Sequence, residues 1–452
     1  MVRDRIADAL VACAYVERTT AHILLGWLPM VVAIDHKLVL GQHQYAAIAR
    51  ATRLERHAHA MMRIRGGHSL AVPRAWRDKM LAIDAAKTAE EMLRRLYLEV
   101  RAGLAARYRE LAADIDPLLD AALVEVLTPA IEETEAQVAW ARRVCSRGRG
   151  RGHARASRPS LRWLVFGRGR LLARDQWLWA PRSRIPQPVR PAGLTSHDEE
   201  GAVVIPIVAP GKRTAAAMLH ENIDAEITTM ELFARCSYEH PDMPEAFHRD
   251  MSRQASDESR HARACVDLAA AYGMPHGTFP TSTDVYDFHY QFKPCKPGSR
   301  RELLWRLLLR STFQEALSLD GFEPLSARLA HDKAVEAARV LESLMADEVF
   351  HVESGLKWAR MLCNGNDDRV FRERDAAHRY YVMCARRARK QYVAKHPDRA
   401  IAETEELWKL HQAAHRRYPF DLRVYLARTA RESIGFTERD LEQIVSWGYA
   451  ND

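Results

Sequence analysis

Two stretches of this chain share one pattern. Asp257-Glu258-Ser259-Arg260-His261 and Asp347-Glu348-Val349-Phe350-His351 both read D-E-x-x-H. Both lie inside long segments whose apolar residues recur with helical spacing. Residues three apart share a helix face, so each Glu and its His can face a single ion. A carboxylate beside an imidazole suits iron, manganese or zinc, and two such pairs facing each other build a dinuclear site.

The upstream acids extend the pattern. Glu226 precedes Glu258 by 32 residues and Glu315 precedes Glu348 by 33, an interval that fits one helix, a turn and a return to the same depth. The order Glu, Glu-x-x-His, Glu, Glu-x-x-His is the ligand set of ferritin-like di-iron carboxylate bundles. The predicted metal ligands are therefore Glu226, Glu258, His261, Glu315, Glu348 and His351. The bland alternative is a set of solvated carboxylates on helix faces. A third E-x-x-H, Glu245 to His248, begins 13 residues before Glu258. At ~100° per residue it falls on another face, and it reads as coincidence.

The aspartates that open the two motifs have an expected role as well. Each sits ~100° around the helix from its neighbouring Glu, so it faces an adjacent helix. A metal-bound imidazole usually donates its other N–H to a carboxylate. Pseudo-twofold symmetry then predicts crossed pairs, Asp257 with His351 and Asp347 with His261.

Residues 205 to 440 resemble the DUF455 family of ferritin-like proteins. The resemblance rests on Leu219-His220 through Glu226, on Met243-Pro244-Glu245 running into Asp257–His261, on Phe313-Gln314-Glu315-Ala316 with Leu319-Asp320-Gly321, and on Asp347–His351. Tyr418-Pro419-Phe420 and Gly435-Phe436-Thr437 match the family's tail. The resemblance implies the fold and the metal site but no substrate. One position departs: where the family has a histidine two residues before the first-helix Glu, this chain has Asp224, a change that bears on the metal or its access.

Ala, Leu, Arg and Glu dominate the 452 residues and favour helix. The predicted class is all-α: a ferritin-like four-helix bundle preceded by an N-terminal helical bundle. The expected domains are an N-terminal bundle over 1–145, a basic Arg- and Pro-rich linker over 146–205, the metal-binding bundle over 206–385 and a helical extension over 386–452. Within the first, helices are expected at about 3–28, 35–64, 88–113 and 117–144; further on, a short extended run is expected at 202–208, Ser299-Arg300-Arg301-Glu302 reads as a capping box that opens a helix, and helices are expected at 378–395 and 401–416. Short matches pair Glu17 with Glu226, His57-Ala-His59 with His261-Ala-Arg263, and Trp140 with Trp358. They read either as a decayed internal repeat or as similar composition. On the repeat reading, Leu54 stands where Glu258 should be, Ala130 where Glu348 should be and Tyr97 where Glu315 should be, so a metal site of the same type is broken there.

The net charge is +8 and the pI about 9.1. Much of this excess is local, in Arg147 to Arg158, a run that reads as a solvated linker with nucleic acid as the lesser reading. No apolar run approaches the ~18 residues a membrane span needs, and no signal-peptide pattern opens the chain. Seven scattered cysteines without a C-x-x-C fit a reducing, cytoplasmic setting. The 25 or so residues after Pro275 carry Phe279, Tyr286, Phe288, Tyr290 and Phe292, either as walls of a substrate pocket or as packing against the bundle. The expected function is an O2-dependent oxidase or oxygenase. Its cofactor would be two iron ions, with manganese or a mixed pair as variants, and its partners a small organic substrate and a separate electron donor. The rivals are a ferroxidase or metal-handling protein without an organic substrate, and a scaffold.

Overall fold

The computed structural model describes residues 2–63, 72–147, 171–172, 188–191, 212–278, 290, 292–320, 326, 329, 334–395 and 426–447. Several sequence expectations lie outside these residues: most of the basic linker, the extended run at 202–208, Phe279, Tyr286, Phe288, the helix expected at 401–416 and Tyr418-Pro419-Phe420. The described chain is all-α. One antiparallel pair of two-residue strands, Val72–Pro73 with Leu171–Leu172, is its sole sheet element.

The first helices are α1 (Val2–Trp27), α2 (Ile34–Arg63) and α3 (Arg74–Asp84). A continuous helix follows, α4, running from Ala89–Leu93 through a π-helical stretch, Arg94–Arg101, into Ala102–Ala113. Then come α5 (Ala121–Arg147), α6 (Lys212–Glu239) and α7 (Glu245–Ala271). Helix α8 starts at Arg300–Leu309, passes through a π-turn at Arg310–Gln314 and continues to residue 320. The last four are α9 (Val335–Leu362), α10 (Asp367–Lys395), α11 (Arg428–Ile434) and α12 (Glu438–Trp447).

Local chemistry sets these ends. The Ser299 hydroxyl accepts from Glu302 N–H at 3.2 Å, and Glu302 Oε2 reaches back to Gly298 N–H at 2.7 Å, so the capping signal read at Ser299–Glu302 opens α8. Asn364 and Gly365 stop α9 with φ of 56° and 72°. Two expectations need correcting. Helix α10 starts at Asp367 rather than His378, because Asn366 caps it by accepting from Arg369 N–H. Helix α3 was not anticipated, since Gly66, Gly67 and Pro73 mask its start, although Trp76, Met80 and Ile83 are buried at helical spacing.

The contacts divide the chain into two compact units: Met1–Val189 with Ser237–Ser256, and Arg190–Cys236 with Asp257–Asp452. The division differs from a simple cut at the 146–205 linker, because the α6–α7 turn belongs to the first unit. There Tyr238 donates to Asp84 Oδ2 at 2.9 Å, and its ring packs on Gly26. A Cβ on Gly26 would lie 2.4 Å from that ring, so only glycine fits. Arg18 bonds Glu245 at 2.7 Å, and the Gln44 amide donates to the Ser252 carbonyl at 2.6 Å.

In the second unit the chain end docks on α8 through Arg431, which is fully buried. It donates to Asp320 Oδ2 at 2.6 Å and to the Ala316 carbonyl at 2.8 Å, while Ala427 N–H donates to Asp320 Oδ1. Around this pair Ala316, Val352, Leu356, Phe436, Leu441 and Ile444 form one apolar cluster. Of the aromatic loop, Tyr290 and Phe292 are packing residues. The Tyr290 hydroxyl accepts from Arg235, and Phe292 lies edge-on to Trp305.

Candidate metal centre

Four helices of the second unit each contribute to one buried cluster. Glu226 comes from α6, Glu258 and His261 from α7, Glu315 from α8, and Glu348 and His351 from α9. All six side chains predicted as ligands are therefore brought together. Two groups of ligand atoms lie within 4.8 Å of one another: Glu226, Glu258 and His261, and Glu258, Glu315, Glu348 and His351. Glu258 belongs to both.

Both imidazoles turn Nδ1 inward. His261 Nδ1 stands 3.1 Å from Glu258, 3.6 Å from Glu348 and 3.9 Å from Glu226. His351 Nδ1 stands 3.2 Å from Glu348 and 3.3 Å from Glu258. Each Nε2 points away from the cluster and meets the aspartate of the other motif. His261 Nε2 donates to Asp347 Oδ2 at 3.2 Å, and His351 Nε2 to Asp257 Oδ2 at 3.4 Å. Both members of the crossed pairing thus lie within hydrogen-bonding distance.

Two arginines complete the cluster, and neither was picked out from the sequence. Arg260, half exposed, spans the two aspartates at 2.6 Å from Asp257 and 3.0 Å from Asp347. Arg310 is buried beside Glu315, with Nε 2.7 Å from Oε1. The sequence signal for Arg260 was its place inside the D-E-x-x-H motif. Arg310 gave no such signal.

Charge crowding sets the protonation of the metal-free cluster. Burial, and then Glu258, push Glu226 up to about 8. Burial, with Glu348 and Glu258 nearby, also raises Glu315 well above the usual carboxylate range despite Arg310. Burial alone would lower the imidazoles. The Asp347 hydrogen bond and Glu226 and Glu258 instead hold His261 far above its ordinary value, and Glu348 and Glu258 do the same for His351. Asp347, bonded to His261, is held down at about 2. Protons on imidazole and carboxylate therefore supply the positive charge that four buried glutamates require.

The remaining motifs lie elsewhere. In the third E-x-x-H, Glu245 bonds Arg18, while His248 meets the Ser237 hydroxyl at 2.9 Å and the Met243 carbonyl at 3.1 Å. Asp224, the family departure, meets His276 Nε2 at 3.0 Å. In the first unit Leu54 and Ala130 are buried. Glu17 there accepts from two cations and a phenol: Arg50 at 2.7 Å, Arg101 at 2.9 Å and the Tyr108 hydroxyl at 2.9 Å. Although burial raises it, Arg101 and Arg50 hold Glu17 down at about 2. Among the described residues no metal-competent group occurs in that unit.

A model of the family described as "Protein of unknown function (DUF455)" matches residues 173–442. The chain belongs to the DUF455 family. The matched span contains all six glutamates and histidines of the cluster, both aspartates and both arginines. An uncharacterized protein of Haemophilus influenzae is 24% identical over 189 residues, which is 39% of this chain and 63% of that protein. The alignment therefore covers less than two thirds of that relative's length. No solved structure matches. Among the described residues no helix is long and apolar enough to cross a membrane.

Proposed function

We propose that Glu226, Glu258, His261, Glu315, Glu348 and His351 hold two divalent metal ions, iron foremost, with manganese or a mixed pair as variants, in a ferritin-like bundle. The observation that carries this reading is the inward convergence of both Nδ1 atoms and four glutamates, with each outer Nε2 fixed by an aspartate. Ligand atoms about 2.1 Å from an ion stand roughly 3–4 Å from one another, and the Nδ1-to-carboxylate separations run from 3.1 to 3.9 Å.

Two further observations fit the same group. Glu258 Oε1 and Glu315 Oε1 are buried and accept no aligned hydrogen bond, which leaves them lone pairs to offer an ion. The charges also balance. Glu226, Glu258, Glu315, Glu348, Asp257 and Asp347 set against Arg260 and Arg310 leave four negative charges, which two divalent ions neutralise while the imidazoles stay neutral.

Bound there, two redox-active ions would supply O2 activation and a pair of electrons. The chain's own residues do the rest. The aspartates orient the imidazoles and keep the proton on Nε2, leaving Nδ1 as the ligand atom. Phe233, buried and 6.2 Å from the His351 ring, sets apolar surface beside the cluster. We propose that the protein is an O2-dependent oxidase or oxygenase of a small organic molecule, with electrons drawn from a separate donor. The test is O2 consumption by the iron-loaded protein, with a chemical reductant, in the presence and absence of a panel of small organic compounds. Substrate-dependent uptake supports this reading. Uptake that follows Fe(II) alone would make the protein a ferroxidase.

A further inference from the structure

We infer that Arg310 competes with a bound metal ion for the Glu315 carboxylate, which makes Glu315 the exchangeable one of the four glutamates. The inference rests on the metal-site reading above and adds a residue to it.

The backbone is the first observation. Residues five apart on an α-helix point about 140° away from each other at ~100° per residue. In α8 the Glu315 N–H instead bonds the Arg310 carbonyl, an i→i+5 link that closes the π-turn. Arg310 and Glu315 are thereby laid on one face. π-turns of this kind are rare and concentrate at functional sites.

The side chains are the second. Arg310 Nε lies 2.7 Å from Glu315 Oε1, yet neither atom has a partner in hydrogen-bond alignment. The contact is one of charge rather than a directed bond, so the carboxylate can rotate away at small directional cost. Arg310 stays behind, because its Nη1 donates to Gln314 Oε1 at 2.8 Å. A guanidinium cannot shed its charge, so its claim on the ionised Glu315 carboxylate ends when a competing cation, a metal ion or a proton, takes the carboxylate.

The third observation is what stays fixed. A Cβ on Gly355 would lie 2.2 Å from Ser311 Cβ. The π-turn is thus pressed directly onto α9, which carries Glu348 and His351. With that backbone clamped, exchange is left to the side-chain torsions of Glu315.

The fourth is asymmetry. Glu226, the corresponding single glutamate of the other ligand group, touches no guanidinium among the described residues. The two metal positions are therefore unequal. At the position formed by Glu258, Glu315, Glu348 and His351, a return of Glu315 to Arg310 opens a coordination place for an outside ligand.

Cobalt(II), read by its visible absorption, tests this without any turnover. The full-length wild type, Arg310→Gln and Arg310→Lys proteins are titrated with Co(II), and the loaded proteins with azide. The expected result for Arg310→Gln is Co(II) binding at the weaker position tightened about 10-fold or more, the scale of a charged partner lost from a buried carboxylate, together with weakened azide binding. Arg310→Lys should stay near the wild type. Equal or weaker Co(II) binding in Arg310→Gln would overturn the inference while leaving the metal site standing. Should that variant not fold, Glu315→Gln decides: azide must bind its cobalt form more tightly than the wild type, and unchanged azide binding overturns the inference. A wild type that binds no Co(II) would defeat the metal-site reading and this inference together.

Discussion

Asp347 Oδ2 lies 3.2 Å from His261 Nε2, across two helices and 86 residues of sequence. Asp257 stands in the same relation to His351 at 3.4 Å. Each motif thus supports the imidazole of the other. Asp347→Asn and Asp257→Asn should each weaken metal binding roughly 10–100-fold while leaving the helical content unchanged. Metal titration beside circular dichroism checks this; unaltered affinity in both variants would leave the aspartates without a role at the centre.

Arg260 ties these two aspartates together from the surface side, at 2.6 and 3.0 Å. Arg260→Gln should therefore loosen both metal positions at once, by less than either aspartate change because the guanidinium is half exposed and screened. Stoichiometry at limiting metal would show it. Loss confined to one position would contradict the shared role.

Metal loading should release protons. Ligands must be deprotonated to bind, and in the metal-free cluster Glu226 is raised to about 8 while both imidazoles are also held protonated. Falling pH therefore favours the proton-loaded cluster. Apparent metal affinity should rise with pH through neutrality and keep rising above about pH 8, where Glu226 has given up its proton but the imidazoles of the metal-free cluster still carry theirs. Calorimetry in two buffers of different ionisation enthalpy should report about two or more protons released per chain at pH 7; zero release would contradict the electrostatics described.

Glu17 should be a stability residue and not a ligand. It is fully buried, with Arg50, Arg101 and Tyr108 on it. Glu17→Gln leaves Arg101 without a carboxylate and Arg50 with Glu133 alone, and should cost about 3–5 kcal/mol, read by denaturant unfolding, with metal content unchanged. Because its carboxyl is depressed to about 2, its contribution is present above the ordinary carboxylate range and fades as pH falls toward 2. Loss of metal without loss of stability would contradict this reading.

Much of the cluster was legible because its residues obey helical spacing. Glu258 with His261 and Glu348 with His351 are i,i+3 pairs, and the intervals back to Glu226 and Glu315 match one helix and a return. The crossed aspartates followed from symmetry. Arg310 was not legible, since five residues is the wrong spacing on an α-helix and only the π-turn makes Arg310 and Glu315 neighbours. The unit boundary was hidden for a related reason. Ser237–Ser256 joins the first unit through Tyr238, Glu245 and Ser252, contacts across more than 150 residues that no local pattern announces. In the first unit, Leu54 and Ala130 are apolar where the repeat reading would need glutamates. The arginines around Glu17 were not foreseen, because their partners come together only in the fold. Both units carry a π-helical stretch in the helix that bears Tyr97 or Glu315.

The central claim is that the cluster holds two metal ions per chain. Elemental analysis of the purified full-length protein beside its Glu258→Ala and Glu348→Ala variants tests it most directly. Two ions per chain in the wild type, with the content of both variants falling toward zero, is the result the geometry predicts. A wild type without metal after loading, or the same content in all three proteins, would contradict it.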